Sequence, residues 1–346
     1  LQLRSARRSL PAMKRFCEPV GPLAVILGWC LTAGCVFGAA RGFEGRFALT
    51  LPDGGAGWLG ISRTNGGWTG SIMWGAGSVV PVQAVEVRGD TLVVTRMHER
   101  KEKDAEGREV TVREQEILEG RWAGDHLEFT TRRQTRGGWT EPRRFIGRPI
   151  PPLPPPPDLS RIRFGQPIVL FNGRDLTGWR PFGGRNGWRA ANGVLINDAP
   201  QPEGRHIAYA NLRTEGEFED FNLRLELRLP PNGNSGIYLR GIYEVQVADS
   251  YGKPPSMHGM GAIYSRIAPT ENAARPAGEW QTYDITLVDR HVTVILNGRR
   301  IIDNQPLLGC TGGALWSDEL RPGPIYLQGD HTSVEYRNLV LRPVLK

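Results

Sequence analysis

Arg240, Glu244, Gln246 and Asp249 fall within one short stretch, residues 234–250. Ile237 and Leu239 alternate with Tyr238 and Arg240; after a Gly-Ile step, Tyr243, Val245 and Val247 alternate with Glu244 and Gln246. Period-two alternation makes strands whose successive side chains point to opposite faces. One face can cover a core. The other gathers a guanidinium, carboxylates and an amide. Such a set can hold the hydroxyls of a small polar ligand, sugar foremost. The same residues can also make a solvated face with a salt bridge, and spacing alone leaves both readings open.

The elements that must position them read as strands almost throughout. With 44 Gly, 27 Pro and 10 Trp in 346 residues, the composition favours turn-dense β architecture, and the length allows two domains. From residue 43 to 147, short strands at 58–64, 68–74, 82–87, 91–96, 110–116 and 126–132 alternate with turn signals. This predicts a small antiparallel barrel or sandwich of no legible chemistry. Residues 96–109 read as a solvated hairpin tip, and His98 and His126 as isolated surface histidines. A proline-rich linker follows at 148–160; prolines 149, 151, 152 and 154–157 favour polyproline II, a stiff spacer. From 161 to 346 strand signals return. The run Phe-Asn-Leu-Arg-Leu-Glu-Leu-Arg-Leu at 221–229 alternates nearly without a break, and Asn192-Gly193 and Asn297-Gly298 mark tight hairpins. About ten antiparallel strands without helical periodicity predict a two-sheet jelly-roll sandwich.

Charge argues against nucleic acid as a partner. Of 43 basic and 36 acidic residues, six basic side chains and only Glu18 lie in residues 1–42, so the body carries 37 against 35. A near-neutral body has little long-range field for phosphate. The basic start belongs to an export pattern: Met13-Lys14-Arg15, then an apolar stretch at 23–32 too short to span a bilayer. Cleavage near Ala40 competes with a lipobox-like Leu-Thr-Ala-Gly-Cys ending at Cys35, and an uncleaved anchor is a third option. The expectation is an exported protein, periplasmic or an outer-membrane lipoprotein, meeting membrane only through Cys35 or an uncleaved signal. Cleavage would leave Cys310 as the lone cysteine, hence no disulfide and a buried or loop thiol.

Several motifs recur in one order across 166–343: Leu-Phe-Asn-Gly-Arg-Asp-Leu-Thr-Gly-Trp at 170–179, Asn-Ser-Gly-Ile-Tyr-Leu-Arg at 234–240, Tyr-Glu-Val-Gln-Val-Ala-Asp at 243–249, Gly-Ala-Ile-Tyr at 261–264, Trp280, Ile-Tyr-Leu-Gln at 325–328 with His331, and Tyr-Arg-Asn at 336–338. This domain resembles the 3-keto-disaccharide hydrolase domain family, formerly a domain of unknown function. The resemblance implies a concanavalin A-like lectin/glucanase sandwich acting on glycosides whose C3 hydroxyl a separate sugar 3-dehydrogenase has oxidised to a ketone. Such a ketone acidifies the C2 proton, so a base can form an enolate, the C1 substituent can leave, and water can add back. The Glu-x-Asp-x-x-Glu pattern of a retaining glucanase is missing.

On that resemblance Glu244 or His331 is the C2 base and Arg240 stabilises the enolate. Gln246, Asp249 and Gln328 hold ring hydroxyls, and Trp280 or Tyr264 stacks on the sugar. No cofactor is assigned; a divalent metal held by Glu244, Asp249 and His331 could replace Arg240 as the electrophile. His206, His258 and His291 are expected to be scaffold. Two other readings stand beside the enzyme: a non-catalytic carbohydrate-binding module, and an extracytoplasmic scaffold.

Overall fold

A computed structural model describes residues 42–103 and 106–345. The export signal and Cys35 lie outside them. Among the described residues the protein is all-β, with one 3-10 turn, Leu159–Arg161, and no helix is long and apolar enough to cross a membrane.

The first sheet is antiparallel and runs from Gly45–Thr50 to Arg143–Pro149. Those two strands pair with each other in mid-sheet; the edges of the sheet, Val80–Pro81 and Ala84–Arg88, are joined by the short segment between them, where Val82 donates to the Gly70 carbonyl (3.0 Å) and Gln83 to Thr95 (2.8 Å). Phe47, Leu49, Leu59, Ile72, Leu92, Leu118, Leu127 and Phe129 fill the interior. The expected hairpin tip at 96–109 belongs largely to the ladder of Thr91–Lys103 with Glu109–Ala123. Alternate charges face partners across strands, which a one-strand reading misses. His98 is accordingly not isolated: its Nε2 lies 2.7 Å from Glu116, which also accepts from Arg96 and Thr131.

The second domain is a two-sheet sandwich. Its larger sheet orders Trp188–Ala191, Val194–Asn197, Val334–Leu345, Phe221–Arg228, Gln281–Val288, His291–Leu296 and Arg299–Pro306. The smaller orders Trp179–Gly183, Ala210–Thr214, Tyr326–Leu327, Asn234–Leu239 and Tyr243–Ala248. Leu223, Leu225 and Leu227 point inward, as their alternation requires, and meet Leu212, Ile237, Leu239, Val245 and Val247 of the smaller sheet. Each such side chain contributes about 1.5–3 kcal/mol on burial. Both Asn-Gly turns carry positive φ at each centre, 52° and 77° at 192–193 and 51° and 78° at 297–298, where a Cβ-bearing residue other than Asn is disfavoured.

The described residues from 42 to 345 form one compact unit. The proline segment does not hold the two domains apart as a spacer. Proline has no N–H to give a ladder but keeps its carbonyl, and here the carbonyls accept from the second domain: Arg290 donates to Pro151 (3.3 Å) and Pro152 (2.7 Å), and Asn304 to Pro157 (3.0 Å). Trp58 and Met73 of the first sheet join the second core, and the Arg266 guanidinium lies 4.5 Å from the Trp58 ring centre. Cys310 is buried against Gly57, and burial pushes its thiol up to about 12.

Candidate active site

Strand register builds the site on the outward face of the smaller sheet. Tyr238 pairs with Glu244 on one side and Tyr326 on the other, and Tyr326 pairs with Arg213. Directly opposed residues share a face, so Arg213, Tyr326, Tyr238 and Glu244 form one row across four strands. Gly236 pairs with Gln246 in the neighbouring row, and Gln328, two residues beyond Tyr326, shares that row's face. A Cβ on Gly236 would drive into Glu244 Oε1; glycine there makes room for the carboxyl group.

Glu244 is 3 % exposed. Burial pushes its carboxyl up to about 8, opposed by the Tyr238 hydrogen bond and helped by the negative charge of Asp330. The Tyr238 hydroxyl lies 3.0 Å from Glu244 Oε2 and 2.7 Å from the Gly312 carbonyl. A phenol has one proton. When Tyr238 gives it to Gly312, a protonated Glu244 can donate to Tyr238; when Glu244 ionises, the proton can turn toward the carboxylate. Gln246 completes the shell. With its amide nitrogen toward Glu244 it donates to Oε1 at 3.1 Å and to the Ser235 carbonyl at 3.2 Å.

Aromatic rings floor the rest. Tyr238 and Tyr326 stack at 4.1 Å with 11° between planes, and Phe182 meets Tyr326 edge-on at 5.2 Å. Tyr264 is joined to the Glu244 strand through its own N–H, which donates to the Glu244 carbonyl at 3.0 Å. Its ring meets His258 edge-on at 5.0 Å. Thus Glu244, Gln246, Tyr264 and Gln328 come together. His331 is half-buried, its side chain 40 % exposed and its Nδ1 3.7 Å from Asp330.

Three expected residues have other occupations. Arg240 sits in the turn at φ 54°, which breaks the alternation that seemed to align it with Glu244. Its Nη2 donates to the carbonyls of Glu319 (2.6 Å) and Arg321 (2.5 Å), and its Nε to Arg321 (3.1 Å), so these two nitrogens are committed to the backbone rather than to an enolate. Asp249 braces a turn, accepting from the Asn232 N–H at 2.9 Å. Trp280 lies against Arg337 and Arg228 of the larger sheet, with ring distances of 3.9 and 4.9 Å, rather than in the Glu244 row of the smaller sheet. The metal set of Glu244, Asp249 and His331 is therefore not assembled, and among the described residues no three His, Cys, Asp or Glu side chains are grouped to hold an ion. His258, expected as scaffold, is instead beside Tyr264.

The family profile described as the 3-keto-alpha-glucoside-1,2-lyase-like domain matches residues 166–342, half of the chain. The chain belongs to this family. The matched residues of this lyase-like domain include the whole Glu244 row, while the first sheet lies outside them. A curated 3-keto-disaccharide hydrolase of Bacteroides thetaiotaomicron is 24% identical over 39% of this chain, and the alignment spans 57% of that relative's length. A crystal structure of a candidate glycosyl hydrolase from Parabacteroides distasonis is 31% identical, covers 56% of this chain and 93% of its own, and superposes with a TM-score of 0.43. Another from the same organism is 20% identical, covering 52% and 94%, with a TM-score of 0.41.

Sequence reasoning missed Tyr238, Tyr326, Asp330 and Arg213. Tyr238 was available from parity, being two residues from Gly236 on the Gln246 side. Tyr326, Asp330 and Arg213 come from distant strands and loops, and only the register brings them in.

Proposed function

We propose that the Glu244 face cleaves 3-keto-glycosides, 3-keto-disaccharides foremost, by proton abstraction and elimination. Glu244 as carboxylate takes the C2 proton, and the C2–H electron pair forms the C2=C3 enolate. The enolate re-forms the C3 carbonyl as C1=C2 forms and the C1–O bond breaks, and the aglycone leaves as an alcohol after taking a proton. Water then adds across C1=C2, hydroxyl to C1 and proton to C2, for net hydrolysis. The observation that carries this reading is a carboxyl buried on a polar face and bonded to Tyr238; burial pushes it up to about 8. A group poised near neutrality can both take and return a proton. Glu244 is preferred to His331 as base because it is buried within the row, while His331 is not part of that row and its side chain is 40 % exposed. Arg213, at the far end of the row, replaces Arg240 as the cation of this face.

The substrate must come from a dehydrogenase that oxidises a C3 hydroxyl. Export through residues 13–40 would place the reaction outside the cytoplasm, in the periplasm or on an outer-membrane lipid anchor. The test is release of free sugar from a 3-keto-glucoside by the purified full chain. Saturable binding without release would instead make the protein a carbohydrate-binding module.

A further inference from the structure

The first sheet lies outside the family match, yet its loop at residues 75–79, between Gly67–Trp74 and Val80–Pro81, reaches the wall of the Glu244 site. Ser78 Oγ lies 3.2 Å from His258 Nε2 and donates to the Tyr264 hydroxyl at 3.4 Å. The next residue, Val79, donates its N–H to Ser265 Oγ at 2.8 Å, and Ser265 holds a left-handed φ of 59°. On the other flank Gly313 donates to the Gly75 carbonyl at 3.2 Å. Gly312, whose carbonyl faces Tyr238, is pressed so closely that a Cβ would come within 2.7 Å of the Ala76 carbonyl. The loop therefore touches both the Tyr264 side and the Gly312 side of Glu244, the two places where the carboxyl group's surroundings are fixed.

We infer that Ser78 is a positioning residue of the saccharide site, and that Ser78, His258 and Tyr264 make a subsite for a sugar hydroxyl pair. This rests on the glycoside-cleaving reading. The chemistry fits: a hydroxyl, an imidazole and a phenol each both donate and accept, as a vicinal diol requires of its partners. Ser78 is half-buried and His258 exposed, so the cluster is open to solvent. In this arrangement the first domain is part of the active site, and the lyase-like domain alone lacks one wall.

The test uses the full chain as wild type, Ser78→Ala and Ser78→Thr, with Thr69→Ala, exposed on the same sheet, as control. Expected is a KM for a 3-keto-disaccharide raised about fivefold in Ser78→Ala, the loss of one neutral hydrogen bond, with kcat within about twofold. Ser78→Thr should restore KM, and the ¹⁵N shift of the His258 ring should move in Ser78→Ala but not in Thr69→Ala. Unchanged KM together with an unchanged His258 shift would overturn the assignment. If wild type turns over no 3-keto-glycoside, the functional reading fails by itself, and calorimetric titration with the same disaccharide decides the subsite. Weaker binding to Ser78→Ala upholds it; equal binding, or none to wild type, sinks it.

Discussion

Replacing Glu244 by Gln should make the protein more stable, by an amount that grows with pH. Burial raises the Glu244 carboxyl from 4.5 to about 8. Because the folded value exceeds the unfolded one, folding takes up a proton. The stability this group contributes is complete below about 4.5 and is lost as pH rises toward 8. Integrating between those values gives a penalty of about 1 kcal/mol at pH 5 and about 4 kcal/mol at pH 8. Glutamine keeps the shape and an acceptor for Tyr238 but cannot ionise. Relative to wild type, Glu244→Gln should therefore gain about 3 kcal/mol more at pH 8 than at pH 5. Urea unfolding of both proteins at the two pH values measures this directly, and taking the difference between proteins removes every other titrating group. Equal stability differences at pH 5 and pH 8 would show that Glu244 is not a buried, raised carboxyl, and the proton-transfer reading would lose its basis.

Other substitutions separate site from scaffold. Tyr238→Phe removes the hydrogen bond that holds the Glu244 carboxyl down. The rise of the pH–rate profile should then move to higher pH, with turnover at neutral pH down about tenfold. Arg240→Met keeps the packed stem and loses the bonds to Glu319 and Arg321; unfolding free energy should fall by about 2 kcal/mol while kcat stays within about threefold. Glu319→Ala strips the buried partner of Arg290, 3.4 Å away and itself bonded to the proline carbonyls. Loss of about 3–5 kcal/mol in chemical denaturation is expected, since an uncompensated buried guanidinium remains.

The architecture was largely legible because burial writes period-two patterns into the chain. Leu223, Leu225 and Leu227 gave the inward face of the larger sheet, and the Asn-Gly pairs gave its hairpins. Glu244 and Gln246 share one face for the same reason. Arg240 was misaligned because a left-handed turn residue rotates the pleat, and parity cannot be carried across it. Trp280 and Asp249 carried the right residue types for sugar binding, but type does not say which sheet or which turn receives them. Tyr326 and Ser78 depend on long-range pairing and docking, which no local pattern encodes.

The proposed cleavage begins with removal of the C2 proton at Glu244. A 3-keto-disaccharide turned over in heavy water, with an enzyme-free control for spontaneous exchange, tests that removal most directly. If elimination and readdition occur, the released 3-keto sugar carries deuterium at C2, and Glu244→Gln abolishes both release and label. Free sugar that keeps its original hydrogen at C2 would mean direct displacement at C1, and would contradict the chemistry assigned to this face.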